Sequence, residues 1–253
     1  TGRVDWRLLV GFAFFLVPYN IAMYGINDVF DYESDIRNPR KGGIEGAVLP
    51  RNMHRPLLIA SAVTVAPFAA ILYAAGTWVS AAWLTLALAA VVAYSAPPLR
   101  LKEVPLVDSA TSSTHFTAPA LVGASLADAS IEPRFALAAA AFFLWGMASH
   151  ALGAVQDVEA DRAGGLRSVA TELGARTTTR LAAALYLIAA LACFALPATG
   201  WVVGLLGLGY VANTARYWNV TDATSAGVNR AWRVFLWLNY VTGAVVTISV
   251  LFL

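Results

Sequence analysis

The sequence has little charge and a single cysteine. Only 13% of its 253 residues are Asp, Glu, Lys or Arg, whereas a soluble domain carries about 25%. This shortage excludes a soluble globular enzyme and a disordered chain. Cys193 alone excludes a disulfide scaffold, and a net charge of +2 is too small for a nucleic-acid-binding surface. A polytopic helical membrane protein remains, in agreement with a hydrophobic content of 59%.

Apolar runs fill most of the chain and predict an all-α membrane bundle. A helix that crosses a bilayer needs about 20 predominantly apolar residues. Because the chain starts at Thr1 and an apolar run follows almost at once, we expect one further N-terminal helix in the full protein. We expect a single domain over residues 1–253. The eight predicted spans cover residues 7–27, 56–75, 78–96, 105–127, 134–156, 178–198, 200–217 and 231–253.

The basic residues predict the orientation of these spans. Fourteen of the 17 Lys and Arg residues lie in or beside the four larger connections, and the other three are Arg3, Arg7 and Arg134. Basic loops face the cytoplasm in membrane proteins. We therefore expect a multi-pass protein of the cell membrane whose larger connections are cytoplasmic.

Acidic residues cluster where the first span ends. If the helix continues there, at 100° per residue, Asp28, Asp31 and Asp35 lie within about 60° of one another, with Asn27 beside them and Glu33 elsewhere. Carboxylates at this spacing repel one another, and Mg²⁺ is a cation that prefers such oxygen ligands. The alternative is a solvated helix end that carries charge because it faces water.

A second acidic cluster favours the magnesium interpretation. Asp157 and Asp161 are four residues apart at the end of the fifth predicted span, on the same predicted membrane side. Two aspartate-rich helix ends can hold Mg²⁺ ions around one diphosphate and neutralise it as it leaves. We expect Asp31 and Asp157 to be catalytic and Asn27 to supply a neutral oxygen ligand.

The segment from Tyr94 to Lys102 is polar and contains two prolines that end the third span. Arg100 and Lys102 follow at the cytoplasmic interface. They can bind diphosphate oxygens; ordinary anchoring of a span by basic residues is an equally good explanation of either one.

Together these motifs resemble the UbiA superfamily of intramembrane prenyltransferases. The resemblance rests on Asn27-Asp28-x-x-Asp31-x-x-x-Asp35, on Asp157-x-x-x-Asp161 and on the Tyr94–Lys102 segment, and it covers essentially the whole chain. It implies nine spans in the full protein, arranged around a central cavity. The sequences around residues 23–31, 38–41 and 149–157 look like the lycopene elongase branch, which adds five-carbon units to lycopene and yields C45 and C50 carotenoids.

The resemblance implies the chemistry and the substrates. Mg²⁺ would join the five aspartates to an allylic diphosphate, with dimethylallyl diphosphate as the expected donor. A long apolar acceptor, with lycopene expected, would attack the allylic cation. The residues expected to hold the diphosphate are Arg40, Lys41, Arg100 and Lys102.

Four further residues are candidates for the cavity: Tyr24, Asp108, His115 and His150. For three of them a structural role is the alternative to a role in the cavity. Asp108 can stabilise the first turn of a helix, polar side chains around His115 can bond to their own helix, and His150 can be a hydrogen-bonded interior histidine.

Other functions fit part of the pattern. Prenylation of an aromatic quinone precursor, of haem or of a glycerol lipid would use the same motifs. An ion-coupled transporter also needs carboxylates within the membrane, although its site usually lies near the midplane. A non-catalytic membrane scaffold would have no need for two matched acidic clusters. Besides the donor and the acceptor, we expect membrane lipids and no nucleic acid as partners, and the sequence does not predict an oligomeric state.

Overall fold

The computed structural model describes residues 5–36, 48–197 and 199–252. In these ranges the long elements are all α-helices and no strand occurs, so the predicted all-α class is confirmed. Short 3-10 helices lie at Arg51–Met53, Leu101–Glu103 and Asp222–Val228. The α-helices are α1 Trp6–Leu16, α2 Pro18–Asp35, α3 His54–Ala75, α4 Trp78–Ser95, α5 Val107–Leu126, α6 Pro133–Val155, α7 Val158–Ala163, α8 Val169–Phe194, α9 Thr199–Ala215 and α10 Asn229–Phe252.

Six helical stretches of the described chain are long and apolar enough to cross a bilayer. The predicted spans at 105–127 and 200–217 are helical too, but they do not reach that standard. The helix α5 carries a polar run from Thr111 to His115, and α9 has only 17 residues. The stretches that reach the standard are Trp6–Glu33, Arg51–Ala75, Trp78–Ser95, Pro133–Val155, Val169–Phe194 and Asp222–Ser249.

The first predicted span consists of two helices because of a proline. Pro18 has no N–H to donate, and α1 ends just before it at Leu16. The Asn20 side-chain amide donates to the carbonyls of Phe15 and Leu16, at 2.8 and 3.0 Å, and so satisfies two acceptors at the end of α1. The chain then continues as one helix to Asp35, eight residues past the predicted end of the span.

The chain divides into two compact units. The first comprises Thr1–Leu101 and Thr114–Ser130, and its core is formed by side chains of α1 to α5 around Phe14, Tyr19 and Leu84. The second comprises Lys102–Ser113 and Ile131–Leu253, with a core around Leu152, Tyr186 and Tyr210.

Small residues bring helices of the second unit close together. A Cβ atom placed on Gly207 of α9 would lie 2.8 Å from the Cβ atom of Ala190 on α8, and one placed on Gly146 of α6 would lie 3.2 Å from the Cα atom of Ser113. The Ser113 hydroxyl donates to the carbonyl of Phe143 at 2.6 Å. Such contacts are typical of helices in membranes, where close van der Waals packing and interhelical hydrogen bonds drive association.

Candidate active site

The first acidic motif lies on the last two turns of α2. The helix extends through Asp35, so the prediction that Asp28, Asp31 and Asp35 share one face is confirmed. Asp28 and Asp31 are half-buried and Asp35 is buried. Glu33 is exposed and pairs with Arg51, as expected for a residue on the opposite face.

Two contacts tie this motif to the last residue of α4 and to the segment that follows it. The Ser95 hydroxyl donates to the side-chain oxygen of Asn27 at 2.8 Å. That oxygen has a second lone pair, so Asn27 can still act as a ligand. The Arg100 guanidinium donates to the backbone carbonyl of Phe30, within the motif, at 3.4 Å. Arg100 therefore lies beside the first motif, where a diphosphate-binding residue is expected.

The second acidic motif lies in the second unit, where α6 gives way to α7. The helix α6 ends at Val155, and Asp157 immediately precedes the six residues of α7. The Asp161 N–H donates to the Asp157 carbonyl at 2.8 Å, so the two aspartates remain one helical turn apart, as predicted. The side chain of Gln156 accepts a hydrogen bond from Asn229 of α10 at 2.8 Å.

Lys102 belongs to the same unit as this second motif. Burial lowers the pKa of Lys102 to about 8, and the negative charges of Glu103 and Asp161 partly oppose that change. An ammonium group held near an aspartate of the motif is suited to bind a diphosphate oxygen as a point charge. Arg40 and Lys41, the other two predicted diphosphate ligands, lie outside the described residues.

The chemistry of the two motifs fits Mg²⁺. Among the described residues, no three His, Cys, Asp or Glu side chains converge into a complete metal site. Mg²⁺ usually binds one or two carboxylates and completes its shell with water and substrate phosphates. A helical turn that carries two or three aspartates therefore supplies the carboxylate ligands that a protein contributes to a Mg²⁺ ion.

Asp108 has a structural role in the second unit. The residue is fully buried, and its carboxylate accepts from the N–H of Val169 at 2.6 Å and from the hydroxyl of Ser109 at 3.0 Å. Asp108 lies in the first turn of α5, as predicted, and it also satisfies a donor in the first turn of α8. Nδ1 of His150 lies 3.1 Å from the Ser109 hydroxyl, so His150 joins this interior network.

The two remaining cavity candidates lie in the first unit. Nδ1 of His115 lies 2.9 Å from the hydroxyl of the buried Tyr19, and the rings of Tyr19 and Tyr94 contact the imidazole edge-on. The polar run around His115 therefore reaches beyond its own helix. Tyr24 is 62% exposed, so the structure does not place it in an enclosed cavity.

Several residues of the second unit were missed at the level of sequence. Arg162 and Asp222 form an ion pair next to the second motif, and Asn229 contacts Gln156. The position of Arg162, directly after Asp161, is the one sequence feature that could have identified it as a residue of the site. Asp222 and Asn229 are more than 60 residues further along the chain, and no local pattern marks them.

Comparison with known proteins identifies the family. The UbiA prenyltransferase family matches residues 1–239. The chain is 58% identical over 248 residues to a protein of Corynebacterium glutamicum named "Lycopene elongase/hydratase", covering 98% of this chain and 86% of that protein. The chain belongs to the UbiA prenyltransferase family.

Two further proteins extend the comparison within this family. The chain is 50% identical over 254 residues to "C(50) beta-cyclic carotenoids biosynthesis protein LbtBC" of Dietzia sp., covering 99% of this chain and 58% of that protein. A UbiA homologue from Archaeoglobus fulgidus, solved with DMAPP and Mg²⁺, has the same fold. Its TM-score is 0.62 at 17% identity, with 95% of this chain and 88% of that chain covered.

Proposed function

We propose that this protein transfers a five-carbon prenyl group from dimethylallyl diphosphate to the end of lycopene, as a step in the synthesis of C45 and C50 carotenoids. The observation that carries the proposal is the 58% identity, over 98% of the chain, to a lycopene elongase/hydratase. The name of the Dietzia relative also refers to C50 carotenoids.

We propose Mg²⁺ as the cofactor and both aspartate motifs as its ligands. The ligand set comprises Asn27, Asp28, Asp31, Asp35, Asp157 and Asp161. The helical stripe on α2 and the helical turn from Asp157 to Asp161 support this assignment, and a homologue of the same fold was solved with Mg²⁺ and DMAPP. When bound, Mg²⁺ neutralises the diphosphate as it departs.

Arg100 and Lys102 would bind and orient the diphosphate in this proposal. Arg100 can offer donors from beside Phe30, and Lys102 can offer an ammonium near Asp161. Arg40 and Lys41 would complete this basic set. The C–O bond of the donor breaks and the diphosphate leaves with the electron pair. The terminal double bond of the acceptor then forms the new C–C bond, and the tertiary cation that results loses a proton or captures water.

The membrane arrangement belongs to the same proposal. We propose that all eight predicted spans cross the bilayer, that residues 1–253 act as one prenyltransferase domain, and that both motifs face the cytoplasm. A 17-residue helix such as α9 lies at the lower limit for a span, and the family match extends over residues 1–239 without a break. A site enclosed by apolar helices would exclude water until the acceptor attacks, and a long apolar acceptor would enter it from the lipid.

Expression in a lycopene-accumulating host tests the function. We expect mass spectrometry of the pigments to show gains of one or two C5 units, with or without added water. The matched control is the Asp31→Asn variant at equal membrane abundance, which should leave nearly all of the lycopene unconverted. Unaltered lycopene with abundant wild-type protein would contradict the proposed acceptor, and prenylated quinone precursors in the same extracts would favour the aromatic alternative.

A further inference from the structure

The short helix that carries the second motif buries little of its own surface. The helix α7 has six residues, and Val158 is its one buried side chain. A helix of this length is unstable by itself, because the cost of nucleation is spread over few hydrogen bonds. Contacts from outside α7 must therefore fix Asp157 and Asp161 in place.

An interruption in α8 lies close to α7. Gly174 has φ 78° and ψ 157°, which breaks the first part of α8 from the rest. In a regular α-helix the N–H of Ala175 would donate to the carbonyl of Thr171, four residues earlier. The break leaves both backbone groups in need of other partners.

Arg162 and Asp222 supply those partners and also bind each other. The Arg162 guanidinium donates to the Thr171 carbonyl from Nη2, at 2.8 Å, and from Nε, at 3.3 Å. The Asp222 carboxylate accepts from the N–H of Ala175 at 2.7 Å through Oδ1, while Oδ2 pairs with Nη1 of Arg162. One ion pair thus fills the broken turn of α8 and attaches α7 to it.

We propose that Arg162 and Asp222 form a clamp that positions the second aspartate motif for Mg²⁺ binding. Both are positioning residues, because they act through α7. The side chains are 44% and 38% exposed, and ion pairs with this exposure contribute little to overall stability. Loss of the clamp should therefore loosen α7 and leave the rest of the fold intact. The inference rests on the proposed function of the motif.

Hydrogen exchange without added metal tests the clamp directly. In the Arg162→Ala variant, purified in detergent, we expect the amides of residues 161–166 to exchange about tenfold faster than in the wild type. The matched control is Arg167→Ala. Arg167 lies between α7 and α8 and forms an exposed ion pair with Glu172, and its loss should leave hydrogen exchange in α7 unchanged. Equal exchange in α7 in both variants would overturn the proposal.

The magnesium dependence of donor ionisation provides the second readout. We expect Arg162→Ala to need several-fold more Mg²⁺ for half-maximal diphosphate release and to recover most of its kcat at saturating Mg²⁺. Asp222→Asn keeps an oxygen for Ala175 but loses the charge, so it should give a smaller shift in the same direction. It also serves as the test variant if Arg162→Ala does not fold.

The two proposals fail in different ways. If the wild-type protein releases no diphosphate at any Mg²⁺ concentration, the proposed function is wrong. If the wild type is active and both clamp variants share its Mg²⁺ dependence, the clamp is wrong while the function stands.

Discussion

Replacement of Asp31 by asparagine should lower turnover on the order of 10²- to 10³-fold, the cost of losing one group that stabilises charge in a transition state. Asp31 is the middle carboxylate of the stripe on α2 and is half-buried. Asparagine has nearly the same shape, but it lacks the negative charge that holds a divalent cation. Asp157→Asn in the second motif should have an effect of similar size. The measurement is the rate of diphosphate release from dimethylallyl diphosphate in the presence of acceptor and Mg²⁺.

Each aspartate has a matched control on its own helical segment. Glu33 lies on the opposite face of α2, where it pairs with Arg51, and Glu159 is exposed in the first turn of α7. Glu33→Gln and Glu159→Gln should retain nearly full activity. Wild-type rates in both aspartate variants would refute the assignment of the two motifs as metal ligands.

Replacement of Asp108 by alanine should lower the free energy of unfolding by about 1–3 kcal/mol, because it leaves the buried N–H of Val169 without its acceptor. The loss also removes a carboxylate from the first turn of α5 and from beside the first turn of α8, where the helix dipoles favour an acidic group. Thermal unfolding of the purified protein in detergent measures the change.

A serine in the other unit provides the comparison for Asp108. The hydroxyl of Ser125 donates to the carbonyl of Leu121 in its own helix, so Ser125→Ala should change stability much less. Asp108→Asn retains an acceptor for Val169 and should fall between the two. An unchanged unfolding temperature in Asp108→Ala would show that the carboxylate does not join α5 to α8.

Local features of the site could be predicted because they depend on helical periodicity alone. The positions of Asp28, Asp31 and Asp35 on one face follow from 100° per residue once the helix continues. The exposure of Glu33 on the other face follows in the same way. The turn from Asp157 to Asp161 was predictable too, although the break after α6 at Val155 was not.

Features that join distant parts of the chain could not be predicted. The first-turn position of Asp108 was visible in the sequence, but its bond to Val169 spans 61 residues. Asp222 reaches Ala175 across 47 residues, at a break in α8 that depends on Gly174. Tertiary contacts of this kind leave no local pattern. The polar run in α5 and the 17 residues of α9 leave these two predicted spans below the length and hydropathy that the other stretches reach.

The most direct test of the central claim is a structure of the protein with Mg²⁺ and an unreactive thio analogue of dimethylallyl diphosphate. We predict one diphosphate whose bound cations are contacted by carboxylates from residues 28–35 and from residues 157–161. A diphosphate that is held by one motif alone, or motifs that lie on opposite sides of the membrane, would contradict the account.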